Sequence, residues 1–591
     1  MTQRTFTPAS AKPMKQQPKA QSQKSGSTKL PRGWILLCGL GSLVFWAPWF
    51  ATSDLTGFGD WQWFHRQWEL GRIAYLKFGE LPLWDSSQCG GSSLWAQPQS
   101  QVFSPLYLLL ALPLGTVTGS KLWAVVHSFA AAVGMVLLAH REYRLHPAGT
   151  LIATVVFAFS GFFAWHGTGG HATYFAFYYL PWLVLGHRRS MYDRRYCALV
   201  AGVLGMALLE GAHYPVPYFV LVLASEGVRA LIVHRSKLAT VFKAELVSGV
   251  LTLMLGAFRL VPIAAAVVDN PKEVPSLDSL NLSEALLMFT ARSHQWHLPG
   301  HVWVWAEYGT YIGWAALALG GAGLIHSLGR RRDLVAGFLI AFAIMLGDLG
   351  PYSPWSLMHN LPFYERLHLP SRFAVFVSFY LALAAGAALD ALSHLSLRQH
   401  QTHRAMRYAL WTIALGITVD IFSVNVKTNN RWNHPPLHED MPDGRYHLIP
   451  GEHFHRVFAS YPRRNVGVTE CYDATNWSVA EDLWVGDTAQ AKVIRGGGKV
   501  HDWNRSNTRA FAEVTLKAPG VVAFNQNYAR GWTSNIGAAF DYKGLMSVRD
   551  VPAGTQRIEL EFKPPEFYPL LMLLLLGSAL CLRIAATPHP W

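Results

Sequence analysis

The sequence predicts an α-helical polytopic membrane protein, with about twelve transmembrane helices and a small β-rich domain outside the membrane. Three observations predict it. Of 591 residues, 51% are hydrophobic and only 15% charged, against roughly 25% charged in soluble domains. Apolar runs long enough to cross a bilayer recur along the chain. When these are threaded as spans, short basic connections fall on one face, and acids, histidines and a folded domain fall on the other.

The elements follow in order. Residues 1–32 carry Arg4, Lys12, Lys15, Lys19, Lys24, Lys29 and Arg32 with no acid, and read as a disordered cytoplasmic tail. The run at 33–51 lacks a convincing cleavage site and precedes many more spans, so it reads as an uncleaved first helix rather than a signal peptide. Residues 52–120 form a long external loop. Within it, Trp61, Phe64, Trp68, Ile73 and Leu76 recur at helical spacing among charges, which suits a helix lying in the interface. The run 102–114 is short and holds Pro105 and Pro113, so it is read as interfacial or re-entrant.

The further spans are 121–139, 148–165, 173–187, 196–213, 216–233, 244–264, 309–328, 334–349, 373–395, 408–424 and 567–585. Their cytoplasmic connections hold clusters such as Arg188, Arg189, Arg194 and Arg195, and Arg330, Arg331 and Arg332. Counting 102–114 as a full span would put these clusters outside, against the positive-inside rule. The transmembrane domain is therefore 33–426. Residues 427–563 alternate apolar and polar positions, as in Arg557, Glu559 and Glu561 against Ile558, Leu560 and Phe562, and read as an extracytoplasmic β-rich domain. Residues 564–591 supply the last helix and a short cytoplasmic tail.

The net charge of +14 does not signal nucleic acid, because the excess lies in the tail and the short connections. The 23 tryptophans, many at span ends, suit an interfacial belt. Among five cysteines, Cys89 and Cys471 both fall outside the membrane, where pairing is open to them. No metal set stands out from spacing; no cofactor is assigned, and a divalent metal is left open.

The external face gathers the candidate chemistry. Asp54, Asp60 and Asp85 lie in the first loop, and each has the alternative of capping an interfacial helix. His171 and His213 sit at external span ends, with His166 nearby. Glu210, Glu307 and Gln99 are candidates to line a substrate cavity. Arg366 and Arg372 run against the positive-inside bias, and a lipid phosphate is their natural partner, because guanidinium binds phosphate oxygens as a fork. His294, His297 and His301 read as a solvated loop that could line an acceptor path.

An ordered set of short motifs resembles the YfhO-like bacterial membrane proteins, which belong with the polytopic GT-C glycosyltransferases. It runs from Gly59-Asp60-Trp61-Gln62 and Gly79-Glu80-Leu81-Pro82 through Phe159-Ser160-Gly161, Gly170-His171 and Leu180-Pro181-Trp182. It continues with Glu307-Tyr308, Pro370-Ser371-Arg372-Phe373, Ala529-Arg530-Gly531-Trp532 and Val551-Pro552-Ala553-Gly554. The resemblance implies a GT-C fold, a polyprenyl-phosphate sugar donor, an envelope glycan, lipid or protein acceptor, and an acid of the first external loop as catalytic base. Asp60 is the first choice, because the Gly-Asp pair sits where the family pattern places it; Asp54 and Asp85 remain alternatives. The rival functions are a transporter or flippase for a lipid-linked glycan, and a non-catalytic envelope assembly factor. A bacterial plasma membrane with both termini cytoplasmic is the expected setting.

Overall fold

The computed structural model describes residues 32–51, 59–271, 278–294, 297–396, 403–430, 445–450, 458–473 and 475–587. The basic tail and Asp54 lie outside them. Among the described residues, eight helices are long and apolar enough to cross a membrane, from Arg32–Phe50 to Phe567–Ala586. The other four expected spans coincide with shorter helices: Leu180–Ser190, Arg195–Leu209, Trp314–Ser327 and Arg332–Met345. The first three are short for a local reason. The first is preceded by a 3-10 segment, Ala172–Tyr179. The second ends where Gly211 turns left-handed (φ +68°). The third starts late because Thr310 and Ile312 donate their N–H groups to Met288 and Phe289 carbonyls instead.

The span 148–165 is interrupted between Ala158 and Gly161. A broken helix frees backbone groups that lipid cannot satisfy, so protein must. Asn425 does so, donating to the Phe159 carbonyl at 2.8 Å and the Tyr311 carbonyl at 3.2 Å.

Two expectations are corrected. The helix Trp61–Ile73 does not lie open at an interface: Trp61, Trp63, Phe64, Arg66 and Trp68 are all buried. Its charges are buried because they are paired, Arg66 with Asp85 at 2.7 Å and Glu69 with Arg463 at 2.7 Å. Nor do the tryptophans form mainly a belt. Trp46, Trp49, Trp61, Trp68 and Trp123 make a continuous chain of buried rings with centroids 4.7–6.5 Å apart. Burial is tolerated where the indole N–H is bonded, as for Trp61 to the Gly167 carbonyl at 2.7 Å. Trp303 and Trp314 do remain exposed.

The β-rich region is a sandwich of two antiparallel four-stranded sheets. Its strands are β1 (Ala491–Arg495), β2 (Gly498–Arg505), β3 (Arg509–Leu516), β4 (Gly520–Asn527), β5 (Trp532–Ser534), β6 (Ala538–Tyr542), β7 (Leu545–Val551) and β8 (Gly554–Phe562). One sheet runs β6-β7-β4-β1 and the other β2-β3-β8-β5. Alternate residues Ala512, Val514 and Leu516 of β3 and Ile558, Leu560 and Phe562 of the neighbouring β8 are buried together in the core, as period-two patterning requires.

The first loop is the socket for this sandwich. Trp84 packs on Trp532 and Phe562 at 5.2 and 4.8 Å. The Glu80 carboxylate accepts from Ser506 and Thr508. Asn527 donates to the Cys89 and Gly91 carbonyls. A disulfide joins Cys89 to Cys471. Beside it, Asp473 accepts from Gln88, Gln97 and Trp477.

Asp85 and Arg66 are both buried, 1% and 0% exposed. Removing one partner of such a pair strands the other charge, at about 3–5 kcal/mol. Asp85→Asn is therefore expected to lower the thermal midpoint of the detergent-solubilised protein strongly. Asp60→Asn, at a partly open carboxylate, should change it little; an unchanged midpoint in Asp85→Asn would reject the structural role.

Candidate functional site

Four of the sequence-selected residues converge on the face of the helical bundle that carries the sandwich. Asp60, His171, Glu307 and Arg372 come from four distant segments. A glycine turn at Gly169-Gly170 lets the first two approach. The Asp60 N–H donates to the Gly169 carbonyl at 3.3 Å. Gly170 adopts φ +90°, and a Cβ there would lie 2.4 Å from the Trp61 nitrogen, so only glycine fits.

Asp60 occupies the N-cap position of the helix Trp61–Ile73, yet its side chain makes no capping bond. The backbone carbonyl caps instead, accepting from Trp63 and Phe64 at 3.0 Å each. The carboxylate is thereby left for the site. Its Oδ1 accepts from the Tyr472 hydroxyl at 2.9 Å, and its Oδ2 lies 3.9 Å from His171 Nε2.

His171 Nε2 is also 3.5 Å from Glu307 Oε1. Its other nitrogen, Nδ1, lies 2.6 Å from His166 Nδ1. Glu307 in turn accepts two hydrogen bonds from Arg372, from Nε at 3.0 Å and Nη2 at 2.8 Å. Ser371 fixes the same turn by donating to the Glu307 backbone carbonyl at 3.0 Å. The Arg372 guanidinium lies over Tyr214 and Tyr174, 4.3 and 5.1 Å from the ring centroids. Its remaining nitrogen, Nη1, has no hydrogen-bond partner among the described residues.

The two carboxylates are driven apart. Burial raises the Asp60 carboxyl above its usual range, and Glu307 adds to the rise; His171, Tyr472 and Arg372 oppose it. With 24% of the side chain accessible, water still reaches Asp60 and limits the shift. Burial would raise Glu307 as well, but Arg372 and His171 together overcome it and hold that carboxyl well below the carboxylate range. Burial raises the Tyr472 phenol, and Asp60 raises it further, so it stays a donor.

The other candidates lie elsewhere. Gln99 meets His213 at 3.1 Å, beside Tyr214 on the flank of the cluster. Asp85 is committed to Arg66 and Ser87. Glu210 is buried in a separate triad with His127 at 3.0 Å and Tyr179 at 2.8 Å. Arg366 lies 3.8 Å from Glu365 and is 27% exposed. His301 pairs with Asp278 at 3.0 Å, and His294 is packed against Trp165 and Trp305 rather than solvated.

Sequence reasoning missed Tyr472, Tyr174 and Tyr214, whose roles depend on long-range approach. It also found no metal set. His166, His171 and Glu307 each bring one ligating atom within 4.8 Å of the others. These are the residues of the site that could hold a metal ion.

No family model matches the chain, and no curated protein matches it. Among solved structures, the arabinofuranosyltransferase AftD from Mycobacteria matches with a TM-score of 0.50 and 16% identity, over 75% of this chain and 32% of that one. A variant of the same protein gives a TM-score of 0.45 and 16% identity, over 77% and 33%. This chain thus spans about a third of the length of that enzyme. The chain is a multi-pass helical membrane protein with a β-rich C-terminal region, and its fold is similar to part of that mycobacterial structure.

A depressed carboxyl stabilises the fold fully above its unfolded-state value, and that contribution is lost as pH falls through the lower folded value. Glu307→Gln should therefore cost about 3–5 kcal/mol at neutral pH. It should also weaken the loss of thermal midpoint that wild type shows on acidification from pH 5 downwards. A parallel acid profile in the variant would remove Glu307 from the linkage.

Proposed function

We propose that the protein is a membrane glycosyltransferase. It would move a hexosyl or pentosyl group from a polyprenyl-phosphate donor to an envelope glycan, lipid or protein, on the extracytoplasmic face of a bacterial plasma membrane. The observation that carries this reading is a partly open Asp60 carboxylate, making no helix-cap bond, in one cluster with the buried Arg372–Glu307 pair, where Arg372 Nη1 has no hydrogen-bond partner among the described residues. The ordered motifs resembling YfhO-like proteins and the GT-C-like fold support it.

The acceptor hydroxyl oxygen attacks the anomeric carbon, and the bond from that carbon to the phosphate oxygen breaks. The polyprenyl phosphate leaves with the electron pair, and the hydroxyl proton passes to Asp60. A base whose carboxyl is raised is better matched to a hydroxyl proton. Positive charge develops at the anomeric carbon, and a carboxylate stabilises it. The free nitrogen of Arg372 would bind a phosphate oxygen by a charge-assisted hydrogen bond. Glu307 holds the guanidinium in place, and Tyr472 orients Asp60.

The orientation belongs to the same reading: both termini cytoplasmic, and the sandwich outside. The Cys89–Cys471 disulfide supports it, because such bonds persist in oxidising compartments. Tyr192 and Lys499 are exposed positions on the two sides. A membrane-impermeant thiol reagent should label Lys499→Cys in intact cells and leave Tyr192→Cys untouched; the reverse would overturn the orientation.

Asp60→Asn keeps shape and removes the base. Transfer from a labelled polyprenyl-phosphate sugar should fall about 10²–10⁴-fold, with donor binding retained. Full turnover in that variant would discard the catalytic assignment. If it still carried a lipid-linked glycan across the bilayer, the transporter reading would replace this one.

A further inference from the structure

We propose that His166, His171 and Glu307 bind one divalent transition-metal ion of the zinc class. The metal stands apart from the glycosyl-transfer reading, because its presence can be measured without any reaction.

The local fold builds the site. His166 lies in the last turn of the helix Gly161–Thr168, and the left-handed Gly170 reverses the chain so that His171 returns to face it. The two imidazoles are aimed nitrogen to nitrogen at 2.6 Å. Glu307 arrives from the 3-10 turn Trp305–Glu307 on the third side; its carboxylate lies 3.5 Å from the other His171 nitrogen, Nε2, so the ring must offer a single nitrogen to the ion. All three ligating atoms fall within 4.8 Å of one another. Tetrahedral bonds of about 2.0–2.1 Å put ligand atoms about 3.3 Å apart. Binding therefore needs the imidazoles to part slightly and the carboxylate to draw in, within the reach of side-chain rotation.

The ligand types choose the metal. Magnesium and calcium prefer all-oxygen shells. Two imidazoles and one carboxylate suit zinc or a neighbouring first-row ion. Three protein ligands, not four, is the pattern that leaves a coordination position open. Asp60, 3.9 Å from His171 Nε2 and the most exposed of the cluster's charged groups, is the carboxylate beside the three ligands. The supporting shell is also present. Arg372 and Ser371 fix Glu307, and outer partners of that kind orient ligating carboxylates. Two carboxylates, Asp60 and Glu307, face the one guanidinium of Arg372 in this cluster, so an added cation improves the charge balance.

The test uses the full chain in detergent, with any affinity tag removed, stripped by chelator and reloaded with zinc or cobalt. Wild type should retain about one equivalent after desalting. Zinc should raise its thermal midpoint, and cobalt should give the visible bands of a low-coordinate site. His166→Gln and His171→Gln should each weaken binding at least about tenfold, as outer-shell changes alone already do. His301→Gln, at the separate His301–Asp278 pair, should bind normally. X-ray absorption of the zinc-loaded wild type should show two imidazole ligands, a readout that does not depend on a variant folding. No retained metal in wild type would overturn the proposal and leave His171 as a spacer between two carboxylates. Retention unaffected in both histidine variants would overturn it equally.

Discussion

The buried pair of Arg372 and Glu307 is the interaction on which the rest of the site depends. A guanidinium this deep needs a partner for its charge and for most of its N–H groups. Glu307 meets two of them, and the faces of Tyr174 and Tyr214 cover the plane. The consequences spread outward. Tyr214 is held under the guanidinium and bonds His368 at 2.6 Å. His213, its neighbour, meets Gln99 of the first loop. On the other side, the Glu307 oxygen that accepts from Arg372 Nη2 also faces His171, which faces Asp60. One ion pair thus sets the positions of groups from six separate stretches of chain.

The second constraint is the seam between the first loop and the segment that precedes the sandwich. Val468 and Glu470 carbonyls accept from Gly90 and Cys89, and the disulfide lies between those strands of chain. Tyr472 follows directly after Cys471, so the same seam delivers its hydroxyl to Asp60. Burial pushes the neighbouring Asp473 carboxyl up to about 6, although three side-chain and backbone donors oppose the rise. The helical domain therefore does not own the site alone. Its most open carboxylate is oriented by a residue from beyond the last long run of helices.

The helices were legible because lipid imposes a length and a composition on every span. The sandwich was legible because period-two alternation is local. Asp60, His171, Glu307 and Arg372 were singled out because each is ionisable near a membrane end, and the structure brings those four together. The same rule also singled out Asp85, Glu210 and Arg366, which it does not bring there. An ionisable residue near lipid can equally be half of a structural pair, as Asp85 is with Arg66, and sequence does not reveal the partner. Tyr472 lay beyond reach for another reason: 412 residues separate it from Asp60. The interfacial helix was misread because amphipathic spacing reports two faces and not what covers the polar one. Here the cover is the first loop and residues 458–473.

Asp60 and Glu307 are chemically alike and physically opposite. Glu307 is 7% exposed, doubly bonded to a guanidinium, and ionised far into the acid range. A carboxylate so satisfied is a poor proton acceptor, because taking a proton would break the pair that stabilises it. Asp60 is more exposed, receives a single phenol hydrogen bond, and is raised rather than lowered. Where neighbouring carboxyls are pushed apart in this way, the roles divide with them. The lowered one can fix charge and geometry, and the raised one can exchange a proton. The fold reaches this division by a backbone choice at Asp60. Its carbonyl caps the helix Trp61–Ile73 while its side chain turns away. Aspartate is favoured at N-caps for its side-chain bond to the backbone, so the unused cap bond leaves a carboxylate free that an ordinary helix start would consume.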